Sequence, residues 1–181
     1  MRKDISDELI LEEFNKNREQ GFRLLFDKYS ERIYFHIRRI VILHHDADDV
    51  LQNTFLKIWK NLDKFRRESS LYTWLYRIAS NEAIAMLKKR KSETGLPLEN
   101  LSDFFNSSEE GERWFDGDEA ERKLRDAILK LPEKQKLVFT LKYYEDMKYE
   151  EMSKVLNTSV GALKASYHHA VKKIEDYLTG I

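Results

Sequence analysis

One periodicity constrains the fold of this chain more than any other feature: its apolar residues recur every three or four positions. That spacing lines one face of an α-helix. Between residues 22 and 40 the stripe comprises Phe22, Leu25, Phe26, Tyr29, Ile33, Ile37 and Ile40. Convincing strand alternation occurs nowhere, and the chain contains only two prolines, Pro97 and Pro132. The pattern predicts an all-α protein.

Capping and turn residues divide this pattern into helices. The first is predicted to begin after Ser6 and to end at Gly21. The others are predicted at 22–42, 47–63, 71–90, 121–130, 133–145, 149–156 and 160–178. Glycine, serine and acidic residues concentrate between 93 and 120, which is typical of a flexible linker. We therefore expect two small helical domains, 1–92 and 121–181, joined by an acidic linker, 93–120.

Charge is segregated along the chain, although the net charge is zero. Residues 21–92 contain 15 basic and 8 acidic residues, and residues 122–181 contain 12 and 8. The intervening segment 93–121 contains one basic and ten acidic residues. Basic domains attract polyanions, so nucleic acid is the favoured partner. A solvated surface without a partner is the alternative interpretation.

Several chemistries and locations are disfavoured by composition. Without cysteine the chain has no disulfide, thiol nucleophile or cysteine-ligated metal. No apolar run of eighteen residues is present, and the acidic, amphipathic N-terminus does not resemble a signal peptide. The expectation is a cytoplasmic protein.

The string HHDADD, residues 44–49, permits two interpretations: a metal site or a helix start. Asp46 is predicted as the N-cap, with Asp48 and Asp49 in the first turn, where the helix dipole favours carboxylates. A metal would require His44, His45 and the acids to converge, but adjacent side chains project in different directions. The helix start is favoured, with no metal and no cofactor.

The helix that follows this string carries two stripes. Leu51, Phe55, Ile58 and Leu62 form a predicted core face. The second stripe, of mixed polarity, comprises Asp49, Gln52, Asn53, Leu56 and Lys60. It is either solvated surface or a surface for a protein partner.

Further along the chain, a polar loop and a helix flank have a composition suited to single-stranded DNA. The loop is FRRESS, Phe65–Ser70, and the flank carries Trp74, Arg77, Asn81 and Lys88. Aromatic rings can stack on unpaired bases while cations hold phosphates. The alternatives are an ordinary connection and a core tryptophan. The basic run 88–91 suits phosphate contacts, or simply a solubilising helix end.

Two predicted helices near the C-terminus, 149–156 and 160–173, are separated by Asn157, Thr158 and Ser159, as in a helix-turn-helix. Ser159 can cap the second helix, and Lys164, His168 and His169 can reach DNA from it. On spacing alone, a generic helical hairpin remains the alternative.

The segments DADDVLQNTFLKIW and FRRESSLYTWLYRIASNEAIAMLKKRK resemble the second conserved region of bacterial sigma factors, in particular the extracytoplasmic-function class. LPEKQKLVFTLKYYEDMKYEEMSKVLNTSVGALKASYHHAVKKI resembles the fourth region of the same family. The resemblance implies a non-enzymatic protein that binds core RNA polymerase and directs promoter recognition, melting and transcription initiation. It implies no small-molecule substrate.

Three sets of site residues follow from the resemblance. The first contacts the β′ clamp helices of core polymerase: Asp49, Gln52, Asn53 and Leu56. The second reads and melts the −10 element: Phe65, Arg66, Arg67, Glu68, Ser69, Ser70, Trp74, Arg77, Asn81, Lys88, Lys89 and Arg90. The third contacts the −35 element: Ser159, Lys164, Ala165, His168, His169 and Lys172.

The remaining implied partners are the β flap of polymerase, promoter DNA and an anti-sigma factor. The resemblance also implies that the acidic linker, 93–120, threads the polymerase channel that nascent RNA later occupies. The chain departs from the family at Lys148 and Ser153, and at 165–171, which lacks the usual arginines, so its −35 sequence preference stays open. Two alternative functions are a helix-turn-helix regulator that never joins polymerase, and a metal-dependent phosphohydrolase built on HHDADD.

Overall fold

The computed structural model describes residues 5–41, 43–95 and 119–180, and these ranges contain α-helices without any strand. The all-α prediction is confirmed. The helices of the first half are α1 (Asp7–Lys16), α2 (Arg18–Arg38), α3 (His44–Asn61) and α4 (Leu71–Thr94), with a 3-10 turn at Leu62–Lys64. Those of the second half are α5 (Glu119–Leu129), α6 (Glu133–Tyr143), α7 (Tyr149–Leu156) and α8 (Val160–Thr179).

The junction of α1 and α2 differs from the sequence prediction. Ser6 caps α1 as expected, but α1 ends at Lys16, and the side chain of Asn17 caps α2. Gly21 therefore lies inside α2 and does not end a helix. A Cβ at Gly21 would approach the backbone nitrogen of Phe14 to 2.2 Å, so glycine is needed there for α1 and α2 to pack closely.

The four helices of the first half surround an apolar core. α1 packs on α2, α2 on α3, and α3 on α4. The predicted stripe of α2 is largely buried, since Leu25, Ile33 and Ile37 are fully inaccessible to solvent. They meet Ile58 of α3 and Leu75 of α4, which are also fully buried. This bundle fixes the outward faces of α3 and α4.

In the second half, α8 packs against α5, α6 and α7. The turn between α7 and α8 depends on Asn157, whose φ of 49° is left-handed, a conformation that asparagine adopts more readily than most residues. Ser159 then caps α8 by accepting a hydrogen bond from the backbone N–H of Ala162 at 3.3 Å. The predicted helix-turn-helix is therefore present.

The two halves also pack against each other. α7 lies along α4, and Leu141, Met147 and Met152 belong to the same buried cluster as the core of the first half. Most of the predicted linker, 96–118, lies outside the described residues. The predicted boundaries 1–92 and 121–181 stay predictions.

Candidate polymerase and promoter surfaces

The second stripe of α3 faces solvent. Asp49, Gln52 and Asn53 are exposed, and half of the Leu56 surface is accessible. A leucine this exposed contributes little to the core. The stripe is available for a partner without any rearrangement of the bundle.

The HHDADD string forms a helix start, but with a different cap from the one predicted. Leu43 occupies the N-cap position, and Asp46 lies inside the first turn of α3. The Asp46 side chain is only 5% exposed and accepts from Arg90. His44 Nδ1 lies 3.0 Å from the carboxylate of Asp48. Within the described ranges, no group of three or more histidine and acidic side chains could hold a metal.

The FRRESS loop packs its only aromatic ring on α4. The Phe65 ring centroid lies 5.4 Å from that of Trp74, and Trp74 is partly buried. Arg67 adopts a left-handed φ of 57°, a strained conformation for arginine that turns the loop sharply. Ser70 closes the loop by capping α4, accepting from the backbone N–H of Thr73 at 3.1 Å.

A cavity of about 430 Å³ opens beside this loop. Its walls on the first-half side include half of the twelve predicted −10 residues: Phe65, Arg66, Glu68, Ser69, Trp74 and Arg77. The opposite wall comes from α7 and the following turn, through Ser153, Lys154 and Asn157. Sequence reasoning did not assign these three residues to the cavity, because no local pattern connects positions some eighty residues apart.

The predicted flank of α4 divides into exposed and engaged side chains. Arg77, Asn81, Lys88 and Lys89 are exposed. Arg90 is different, because its Nε donates to Asp46 at 3.0 Å and this hydrogen bond raises the pKa of the guanidinium. Arg90 of α4 thus binds Asp46 of α3 and links the two helices.

A buried histidine lies beneath α4. His36 is fully buried, and its Nε2 lies 2.9 Å from Ser80 Oγ. Desolvation, with a further contribution from Arg39, lowers the pKa of His36 to about 3. This histidine is therefore neutral at physiological pH and belongs to the core.

The outward face of α8 carries the predicted −35 residues. Ser159, Lys164, Ala165, His168, His169 and Lys172 are all exposed. The Lys164 ammonium lies 5.7 Å from the ring centroid of Tyr149, so α7 supports this side chain from below. The face is open and polar, as a helix entering a DNA groove must be.

Comparison with known proteins agrees with this architecture. Residues 25–93 match Sigma-70 region 2, and residues 121–174 match Sigma-70, region 4. The chain is 31% identical to the RNA polymerase sigma-H factor of Pseudomonas aeruginosa, covering 95% of this chain and 93% of the relative. It is 28% identical to the ECF RNA polymerase sigma-E factor of Haemophilus influenzae, with 97% of each covered.

A solved structure shares the fold. The sigma factor RpoE in complex with the anti-sigma factor NepR from Bartonella quintana aligns with a TM-score of 0.67 and 21% identity. The alignment covers 91% of this chain and 98% of that chain.

Two helical domains, one of them a helix-turn-helix, define a DNA-binding protein of the transcription apparatus. The chain belongs to the extracytoplasmic-function class of the sigma-70 family of RNA polymerase sigma factors. It is accordingly a non-enzymatic polymerase subunit that directs transcription initiation, and neither a regulator independent of polymerase nor a phosphohydrolase. Among the described helices, none is both long and apolar enough to cross a membrane.

Proposed function

We propose that Asp49, Gln52, Asn53 and Leu56 form the surface through which this sigma factor binds the β′ clamp helices of core polymerase. The observation that carries this proposal is their shared exposure on α3. Leu56 supplies an apolar contact, while Asp49 and the two amides supply directional polar ones. Such a mixture of an apolar centre with polar neighbours is typical of protein interfaces.

The first domain would then read and open the −10 element. The cavity beside Phe65–Ser70 has the size and polarity to take a base that has left the duplex. Arg66 and Arg77 would hold phosphates, and Trp74 offers a ring for stacking. Stacking contributes roughly 1 to 3 kcal/mol per base, which offsets an unstacking cost of a few kcal/mol without nucleotide hydrolysis.

Asn81 would lie near the bases being read, and Lys88 and Lys89 would contact the DNA backbone. Their exposure along one flank of α4 supports these roles. Phosphate contacts add affinity without sequence information.

The second domain would insert α8 into the major groove at the −35 element. The N–H groups following Ser159 can meet a phosphate, and Lys164, His168, His169 and Lys172 project from the exposed face. Ala165 leaves room for close approach. The same domain would contact the β flap of polymerase, and the acidic linker would follow the RNA channel.

The RpoE of Bartonella quintana forms a complex with the anti-sigma factor NepR. We infer that an anti-sigma factor also restrains this chain. Binding to polymerase and promoter DNA would take place in the cytoplasm.

The core-binding proposal is tested with a double variant, Asp49→Lys with Gln52→Ala. Both side chains are exposed, so helicity and thermal stability should stay unchanged, while affinity for core polymerase should fall at least about tenfold, as loss of roughly 1.4 kcal/mol implies. Glu12→Lys, a charge reversal of the same kind at an exposed position of α1 outside this stripe, is the matched control. Unchanged core affinity in a folded double variant would reject the assignment.

A further inference from the structure

The cavity beside the FRRESS loop carries an excess of positive charge. Lys64, Arg66 and Arg77 line one wall, and Lys154 lines the other. Among the described residues of the lining, Glu68 is the one acidic residue, so four cationic side chains face a single carboxylate. A concave surface with this excess of three positive charges attracts a small anion.

Neighbouring acids do not neutralise these cations. Among the described residues, none of Lys64, Arg66 and Arg77 forms an ion pair or a side-chain hydrogen bond. Lys154 Nζ donates at 3.0 Å to an uncharged acceptor, the backbone oxygen of Glu68. All four side chains are exposed, so an anion can reach them without displacing a carboxylate.

The same cavity offers an aromatic surface and polar groups. Trp74 lines it, and the Trp74 ring is held in place by Phe65, whose ring centroid lies 5.4 Å away. A fixed ring can stack on any nucleobase, because every base has a π face. On the opposite wall, the Ser153 hydroxyl and the Asn157 amide have no hydrogen-bond partner within the described ranges, so both can bind a base or a ribose.

Size and enclosure favour a separate small molecule in this cavity. Its volume of about 430 Å³ lies within the range of roughly 300 to 1,000 Å³ that is typical of small-molecule sites. A nucleotide within a strand also needs room for its neighbours on both sides, whereas Ser153, Lys154 and Asn157 close one side here. A phosphate monoester carries about −1.5 to −2 charges at pH 7, so two phosphoryl groups come closer than one to balancing the excess.

We propose that this cavity binds a nucleoside diphosphate as a separate molecule that touches both halves of the chain. The base stacks on Trp74, and Arg66, Arg77 and Lys154 hold the phosphates. This site goes beyond the proposed DNA function, because its ligand is a small molecule and its contacts include α7. Competition between this ligand and a base of the −10 element is the one consequence that rests on the proposed −10 function.

Calorimetric titration of the full-length chain with ADP tests the proposal. Adenosine and inorganic pyrophosphate are the companion ligands, since the first lacks the phosphates and the second lacks the base. ADP should bind with a dissociation constant below about 1 mM, and each companion should bind at least about tenfold more weakly.

Two variants place the ligand between the two walls. Lys154→Gln keeps a donor for the Glu68 backbone oxygen but removes the charge, and Arg77→Ala removes a cation from the other wall. Each should weaken ADP binding at least about tenfold, because each removes a charge-assisted hydrogen bond to phosphate. Lys173→Ala, at an exposed position of α8 outside the lining, is the matched control and should bind ADP like the parent. Circular dichroism checks that each variant is folded.

The absence of ADP binding at about 1 mM would overturn the proposal. Pyrophosphate or adenosine binding as tightly as ADP would overturn the assignment of a nucleotide, and unchanged ADP affinity in a folded Lys154→Gln variant would overturn the contact with α7. No DNA is present in these titrations. ADP binding with the expected variant pattern therefore supports the site even if the −10 function fails, and absent ADP binding overturns the site even if promoter melting depends on Trp74.

Discussion

Replacing Arg90 with alanine distinguishes two roles for this residue, a DNA phosphate contact and a contact that joins two helices. In the structure the Arg90 guanidinium binds Asp46 through Nε, which lies 3.2 and 3.0 Å from the two carboxylate oxygens. The Asp46 side chain is 5% exposed, so the substitution leaves a buried carboxylate without its cation. Removing one partner of a buried pair typically costs 3–5 kcal/mol, and because Arg90 is 31% exposed we expect about 3 kcal/mol.

Urea unfolding followed by circular dichroism measures this loss. Lys89→Ala is the matched control, because its side chain is 68% exposed and its removal should change the free energy of unfolding by less than about 0.5 kcal/mol. A double-mutant cycle with Asp46→Ala should give a coupling energy of roughly 1 to 3 kcal/mol.

The reasoning is refuted if Arg90→Ala unfolds at the same urea concentration as the parent. It is also refuted if Arg90→Ala weakens promoter binding as Lys89→Ala does, with no coupling to Asp46. Either result would favour the other role of Arg90, the contact with the DNA backbone that the family resemblance implies.

Three further predictions concern the core and the two helices, α4 and α8, that we propose to read DNA. Burial lowers the pKa of His36 to about 3, so as the pH falls this histidine binds a proton in the unfolded chain before it does so in the folded chain. The free energy of unfolding is therefore highest above pH 6.5 and falls as the pH drops toward 3. Between pH 6.5 and 5 the parent should lose about 2 kcal/mol that His36→Gln does not lose in urea unfolding; equal losses would contradict this. Trp74→Ala should reduce permanganate reactivity of the melted −10 strand more than duplex binding, whereas a fall of roughly 3 to 5 kcal/mol in stability would show that the ring is mainly core. Lys164→Ala should weaken binding to all −35 sequences and lower the salt slope by about one, while His168→Ala should flatten preference at one or two base pairs; equal losses on every sequence would reject base reading by His168.

Local patterns predicted the helices well where a helix depends on its own cap and stripe. The predicted range 149–156 matches α7, and both Ser6 and Ser159 cap the helices that they were expected to cap. Gly21 was misinterpreted because a glycine that ends a helix and a glycine that admits a neighbouring helix are indistinguishable in one sequence.

Contacts between distant residues could not be predicted in this way. Asp46 seemed a suitable N-cap, but Arg90, one helix further along, binds it inside the first turn of α3. Glu145 was predicted only as the last residue of the helix 133–145, and only the packing of α7 on α4 brings Tyr76 to it. The partner-binding roles that the family motifs imply for individual residues stay predictions, and the α7 wall of the cavity beside Phe65–Ser70 had no signal in the sequence.

The most direct test of the account is transcription in vitro with purified core polymerase. Promoter templates are compared with versions in which the −10 or the −35 element is scrambled. The account predicts transcripts only when this chain is added, and only from the intact promoter, with the Asp49→Lys, Gln52→Ala variant inactive through loss of core binding. A well-folded chain that fails to associate with core polymerase, or that stimulates intact and scrambled templates equally, would contradict it.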